Sequence, residues 1–274
     1  MAIVCIPEFD LAGIAESGQC FRMTAADDGS VQLVALGRWL SIRPLGGDQY
    51  EISCPPQEWE AVWRDYFDLD TDYAPFRALA LKKDGFLQRA AEYGAGLRIL
   101  RQQPFEMLIS FIISQRKSIP AIRTAVEKLC RAFGAPFDTP AGVKYAFPAP
   151  GALAAADPQT LADCGLGYRV DYVKAAAQMA ADGRLELEEL ARLKDGQLLE
   201  ILQQVPGVGI KVASCTALFG YHRLAVAPVD VWIRRVLDKV YGGRWPRRYR
   251  PALGVLQQYM FYYARCPECD FLRR

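Results

Sequence analysis

One segment limits what this chain can become more than any other: LLEILQQVPGVGIKVASCTALFG, residues 198–220. Apolar residues at helical spacing run into VPGVG, and a second helical pattern starts near Lys211. Pro206 fixes the entry to the turn, while Gly207 and Gly209 admit positive φ and close backbone approach. The spacing predicts two helices joined by a tight hairpin. Backbone N–H groups at such a turn, beside a helix N-terminus, can hold a phosphate directly or through a bound cation. A Gly-x-Gly alone more often marks a plain turn between packed helices. The full V-P-G-V-G-x-K-x-A, from Val205 to Ala213, favours the phosphate-holding version.

The rest of the chain divides by texture. Within residues 1–82, VQLVALG, WLSIRPL and QYEISC are short runs rich in Val, Ile, Leu and Tyr, broken by DDG and LGGD turns. They predict a small antiparallel sheet. Residues 83–274 read as helical, with FEMLISFIISQ (105–115) apolar almost all round and therefore a buried central helix. The fold class expected is α+β, mainly helical. At 274 residues and 51% hydrophobic, the chain can bury one sizeable core or two modest ones. No run approaches the roughly 18 apolar residues of a membrane span. The start, MAIVCIPEFDLAG, lacks a basic n-region and carries Glu8 and Asp10, which argues against a signal peptide. Eight scattered cysteines suit reduced, buried thiols in an intracellular protein, of the cytoplasm or nucleoid in a bacterium. A net charge of +2 neither demands nor excludes nucleic acid.

Lys211 falls in the first turn of the second hairpin helix, between apolar Ile210 and Val212. A free lysine titrates near pH 10.4, and both desolvation and a helix N-terminus favour the neutral amine. Such an amine could attack the anomeric carbon of a deoxyribose, expel the base and form a Schiff base. On position alone, a solvated surface lysine is the commoner fate. Asp230 shifts the balance. It follows the apolar run LAVAPV nineteen residues downstream and precedes another helical pattern. Its bland role is an N-cap. A capping carboxylate is also rigid, and it could stabilise positive charge developing on a sugar as the base leaves.

V-P-G-V-G-I-K-V-A followed by P-V-D resembles the helix-hairpin-helix-GPD superfamily of DNA glycosylases, and the Lys resembles its bifunctional glycosylase/lyases. The 8-oxoguanine DNA glycosylases are the most similar branch. FDLAGIAESGQCFRM (9–23) is similar to their first strand region and S-G-Q-x-F-R motif, and RDYFDLD (64–70), EMLISFIISQ (106–115) and GLGYR (165–169) follow in order. The resemblance implies a TATA-binding-protein-like sheet domain on a helical glycosylase core, acting as a monomer on double-stranded DNA that carries an oxidised purine. It implies Lys211 as Schiff-base nucleophile and Asp230 as the essential aspartate. It also implies a base pocket of Gly18, Cys215, Gln257 and Phe261, with the Gly18 carbonyl accepting the N7 hydrogen that 8-oxoguanine has and guanine lacks. Gln258 beside Gln257 leaves that position open to a shift of one. Tyr168 and Arg169, read as an exposed pair, match residues that wedge into the base stack. Plain core packing for Phe261 and Cys215, and a surface Tyr–Arg without a role, are the alternatives.

Two departures stand out. Family asparagines after the central helix are replaced within QRKS (115–118), where Gln115, Arg116 and Lys117 become candidate DNA contacts with Val205, Gly207 and Gly209 of the hairpin. A family histidine two residues after the aspartate is Trp232 here. An alkylpurine glycosylase of the same superfamily is disfavoured by Lys211. A non-catalytic hairpin module would not need Asp230. Cys266 and Cys269 form one Cys pair, too few for a zinc or iron–sulfur site. No cofactor is expected beyond a structural cation at the hairpin.

Overall fold

The computed structural model describes residues 2–80, 84–267 and 269. The expected boundary at 82/83 lies outside the described residues. Five antiparallel strands, β1 (Ala2–Cys5), β2 (Met23–Ala25), β3 (Val31–Ala35), β4 (Arg38–Gly46) and β5 (Gln49–Ile52), form a sheet in the order β1-β5-β4-β3-β2. The three runs read from sequence are β3, β4 and β5. In β3, Val31, Leu33 and Ala35 are buried and Gln32 is exposed, the alternation of a strand with one covered face. β3 and β4 are joined by Leu36 and Gly37, both at positive φ, as a two-residue hairpin matching strand twist requires. The stretch 9–23 differs from expectation. Asp10 caps a short helix, Leu11–Glu16, by accepting from the Gly13 amide at 2.9 Å, and only Met23 enters a strand.

The larger part is helical, with a two-stranded ribbon pairing Pro136–Phe137 with Lys144–Tyr145. The central helix, Pro104–Ile113, is buried along most of its length. It packs against Ile210–Gly220, the second helix of the hairpin. The C-terminal helix, Leu253–Ala264, packs on Gly85–Tyr93 and on Val231–Val240. One hydrophobic cluster runs through both sheet and helices.

Two quoted motifs turn out to be buried polar anchors. Gln19, of S-G-Q, donates from Nε2 to the Arg98 carbonyl at 2.8 Å and accepts at Oε1 from the Leu100 amide at 2.8 Å. Its own carbonyl accepts from Gln102 Nε2, also at 2.8 Å. Asp68, of RDYFDLD, accepts from Thr71, Tyr73 and Arg101, and His222 Nε2 lies 3.1 Å from its Oδ2. Burial alone would raise its carboxyl pKa, but the His222, Tyr73 and Thr71 contacts win and hold it below the usual value. The only histidine of the chain is thus a structural partner and does not line the cavity below.

Candidate active site

A cavity of about 130 Å³ opens where four pieces of chain meet: residues 17–21, the end of the central helix, the start of Ile210–Gly220, and the C-terminal helix. Lys211, Asp230, Gly18, Cys215, Gln257 and Phe261 all line it. Residues up to 243 positions apart in sequence are therefore brought to one place.

Lys211 is half-buried in the first turn of its helix. Its Nζ donates to Ser114 Oγ at 3.3 Å and sits 5.2 Å above the centre of the Phe111 ring. Asp230 is the N-cap of Val231–Val240 and accepts from the Ile233 amide at 2.8 Å. Burial pushes its pKa up, against the opposing pull of the Ile233 amide and the Lys211 charge. Cys215 lies one turn beyond Lys211. Burial lifts its thiol to about 11, although Lys211 pulls the other way. A thiol held neutral is a poor nucleophile.

Gly18 adopts φ +75°, a left-handed conformation that a side chain would strain. A Cβ there would press on Ile119 and on the Phe261 ring, at 3.2 and 3.3 Å. Its neighbours are pinned: Gln258 Nε2 donates to the Ser17 carbonyl at 2.7 Å, and Gln19 is stitched as described. The carbonyl of Gly18 has no partner among the described residues. Gln257, buried beside it, has an Oε1 without a partner among the described residues. Of the two adjacent glutamines, one is committed to the backbone and the other presents free hydrogen-bonding capacity.

Among the expected DNA contacts, Gln115, Gly207 and Arg169 are tied together by hydrogen bonds. Gln115 Nε2 donates to the Gly207 carbonyl at 3.2 Å. Arg169 donates to the carbonyls of Gln115 and Leu166. Lys117 Nζ donates to the Gly165 carbonyl at 2.7 Å and also lines the cavity. Burial and the Arg169 charge lower its pKa. Tyr168 and Arg169 are not an exposed pair. Tyr168 is 55% exposed, but Arg169 is only 6% exposed, because the 3₁₀ turn Gly167–Arg169 swings its guanidinium inward. Arg116 is exposed at φ +53°, a conformation that asparagine tolerates far better than arginine.

The hairpin departs from expectation in two ways. Gly207 has φ +78°, and a Cβ there would overlap the Tyr172 ring. Gly209, by contrast, has an ordinary φ of −89° and open space around it, so it caps the helix without needing to be glycine. The Val205 side chain is buried, so only its backbone could face DNA. The amides of Gly207 and Gly209 have no partner among the described residues. Trp232 is half-buried, with the Arg235 guanidinium 5.1 Å from its ring centre.

Sequence reasoning missed Ser114, Phe111, Phe21 and Phe219 in the cavity wall. Phe111 stacks on Phe219 with ring centres 5.6 Å apart and meets Phe21 edge-on. The signal available for Ser114 was a polar residue ending an otherwise apolar helix.

A hairpin feeding a lysine and a capping aspartate into one cavity defines the helix-hairpin-helix class of base-excision proteins. The family model for HhH-GPD superfamily base excision DNA repair proteins matches residues 109–252, and that for the 8-oxoguanine DNA glycosylase N-terminal domain matches 3–108. The chain belongs to the 8-oxoguanine DNA glycosylase family within that superfamily. A structure of MBOgg1 with a low-affinity DNA ligand is 36% identical, with a TM-score of 0.90 over 96% of this chain and 94% of that one. The Clostridium acetobutylicum 8-oxoguanine glycosylase/lyase, solved with double-stranded DNA containing cytosine opposite 8-oxoG, is 32% identical, with a TM-score of 0.89 and the same coverage. A probable N-glycosylase/DNA lyase of Methanothermobacter thermautotrophicus is 28% identical over 229 residues, 73% of this chain and 72% of its own length.

Proposed function

We propose that this chain excises 8-oxoguanine from duplex DNA and cleaves the resulting abasic strand, with Lys211 as nucleophile. The observation that carries the reading is the convergence of the Lys211 amine and the Asp230 carboxylate on one cavity that Gly18, Gln257 and Phe261 also line. The everted nucleotide enters there. The Lys211 nitrogen forms a bond to C1′ as the bond from C1′ to the base breaks. Asp230, fixed by its cap, stabilises the positive charge that builds on the sugar. Opening of the sugar ring gives a Schiff base, from which β-elimination cleaves the strand.

The free Gly18 carbonyl supports the lesion assignment. It can accept a hydrogen from N7 of 8-oxoguanine, whereas guanine would leave it buried and unpaired, at a cost of about 1–3 kcal/mol. The unpartnered Oε1 of Gln257 supports that residue, rather than Gln258, as the one facing the base edge. For the DNA surface, the free hairpin amides support phosphate contact, and the exposed Tyr168 ring supports a wedge into the stack. Among the described residues, no helix is long and apolar enough to cross a membrane.

Borohydride trapping on a duplex carrying 8-oxoguanine tests the assignment. The native protein should give a covalent adduct and Lys211→Gln none. An adduct that persists in the variant would move the nucleophile elsewhere.

A further inference from the structure

We propose that Ser114 is a positioning residue for Lys211, holding the ε-amine through one N–H and so leaving its lone pair directed to the substrate. The proposal rests on the reading of Lys211 as the nucleophile. Ser114 is the C-cap of the central helix, with φ −64° and ψ −18°, and it is buried against the cavity. A hydroxyl has one proton, and this one is committed: Oγ donates to the Phe111 carbonyl at 2.7 Å. A carbonyl can only accept, so the direction of that bond is fixed. Toward Lys211, 3.3 Å away, the same oxygen can therefore act only as an acceptor.

The direction of the second bond has a chemical consequence. A hydroxyl that donated to a neutral amine would occupy the electron pair that must attack C1′. One that accepts leaves that pair free and fixes the amine by a hydrogen it does not use. Lysine carries a long, flexible stem, so an unrestrained amine would spend little time in attacking geometry. The Phe111 ring adds a second restraint from below the nitrogen, and it is itself held by Phe21 and Phe219. Phe111 thus contributes twice, through its carbonyl to the serine proton and through its ring to the amine. The Cys215 thiol, also adjacent, is kept protonated and does not compete.

The test uses Ser114→Ala and Ser114→Thr in the full chain, with Lys211→Gln alongside. Two quantities are measured: affinity for an 8-oxoguanine duplex under non-turnover conditions, and the single-turnover rate of the borohydride-trapped adduct. Ser114→Ala should slow adduct formation roughly 10-fold with affinity unchanged, as expected for loss of orientation rather than of binding. Ser114→Thr, which keeps the hydroxyl, should restore the rate. Wild-type rates in Ser114→Ala would overturn the proposal, as would a loss of affinity matching the loss of rate, or an alanine-like rate in Ser114→Thr. If Lys211→Gln still forms the adduct, the nucleophile assignment itself fails. If it forms none while Ser114→Ala reacts normally, only the positioning role fails.

Discussion

Asp230 caps its helix and also lines the cavity, and the capping role can be separated by experiment from the chemistry proposed for it. Burial raises its pKa, so the folded protein is favoured by the protonated form and loses that contribution as pH rises through the raised value. The ionised carboxylate is therefore the less favoured form in the folded protein. Asparagine caps a helix about as well as aspartate and carries no charge. Asp230→Asn should lower excision by about 10²–10³-fold, in line with losing one preorganised electrostatic group. Its melting temperature should stay level or rise. A lower melting temperature with excision intact would reduce Asp230 to a cap. The helix-start positions of Lys211 and Asp230 were legible from Pro and Gly punctuation, while the pairing of the two rested on their spacing and the family resemblance. Gly18, Gln257 and Phe261 were legible only through family resemblance, because local periodicity carries no information about contacts spanning most of the chain. Arg169 was misjudged because a one-turn 3₁₀ segment reverses the direction of a side chain without altering the sequence pattern.

The hairpin, the end of the central helix and the Tyr168 turn are tied into one assembly, since the Gln115 and Arg169 side chains join all three by hydrogen bonds to backbone carbonyls. Its sensitivity should be uneven. Gly207→Ala meets both a positive φ and the Tyr172 ring, so it should cost more than about 1 kcal/mol and weaken DNA binding. Gly209→Ala has an ordinary φ and open space, and should leave affinity nearly unchanged. Chemical denaturation and duplex titration of both variants check this, and equal losses would refute it. The two helices were readable from periodicity and from Pro and Gly punctuation. The difference between the two glycines was not, because the Tyr172 contact comes from a separate helix. Strands β3 to β5 were readable from apolar runs set off by turn signals, while β1 is a four-residue edge strand of half-exposed and exposed positions without such flanking turn signals.

Across the molecule, one buried carboxylate opposes the core that surrounds it. Glu106, in the first turn of the central helix, is pushed up to about 7 by burial, with Arg22 the opposing charge. A raised folded-state pKa stabilises below the unfolded value of 4.5, and the benefit disappears as pH climbs toward about 7. Stability should therefore decline across that interval, and Glu106→Gln should flatten the decline. Urea midpoints at several pH values give the comparison, and an unchanged slope in the variant would sink the assignment. Composition gave the broad class of molecule, yet nothing in it flagged this residue. The stretch FEMLISFIISQ reads as a buried helix, and only the fold shows that its one acid is buried with the rest.

The bond from Gln258 to Ser17 spans 241 positions, and Gln19 reaches 81 positions forward to Leu100. A chain made from its N-terminus has all its sheet strands early but cannot complete the cavity until the C-terminal helix has been synthesised and docked. Such late, long-range closure is slow compared with local helix formation. Nascent or truncated chains that already display the hairpin could hold DNA phosphates while lacking a pocket to read the base. With the hairpin and the cavity in the roles proposed above, the capacity to grip DNA would precede the capacity to recognise damage in it.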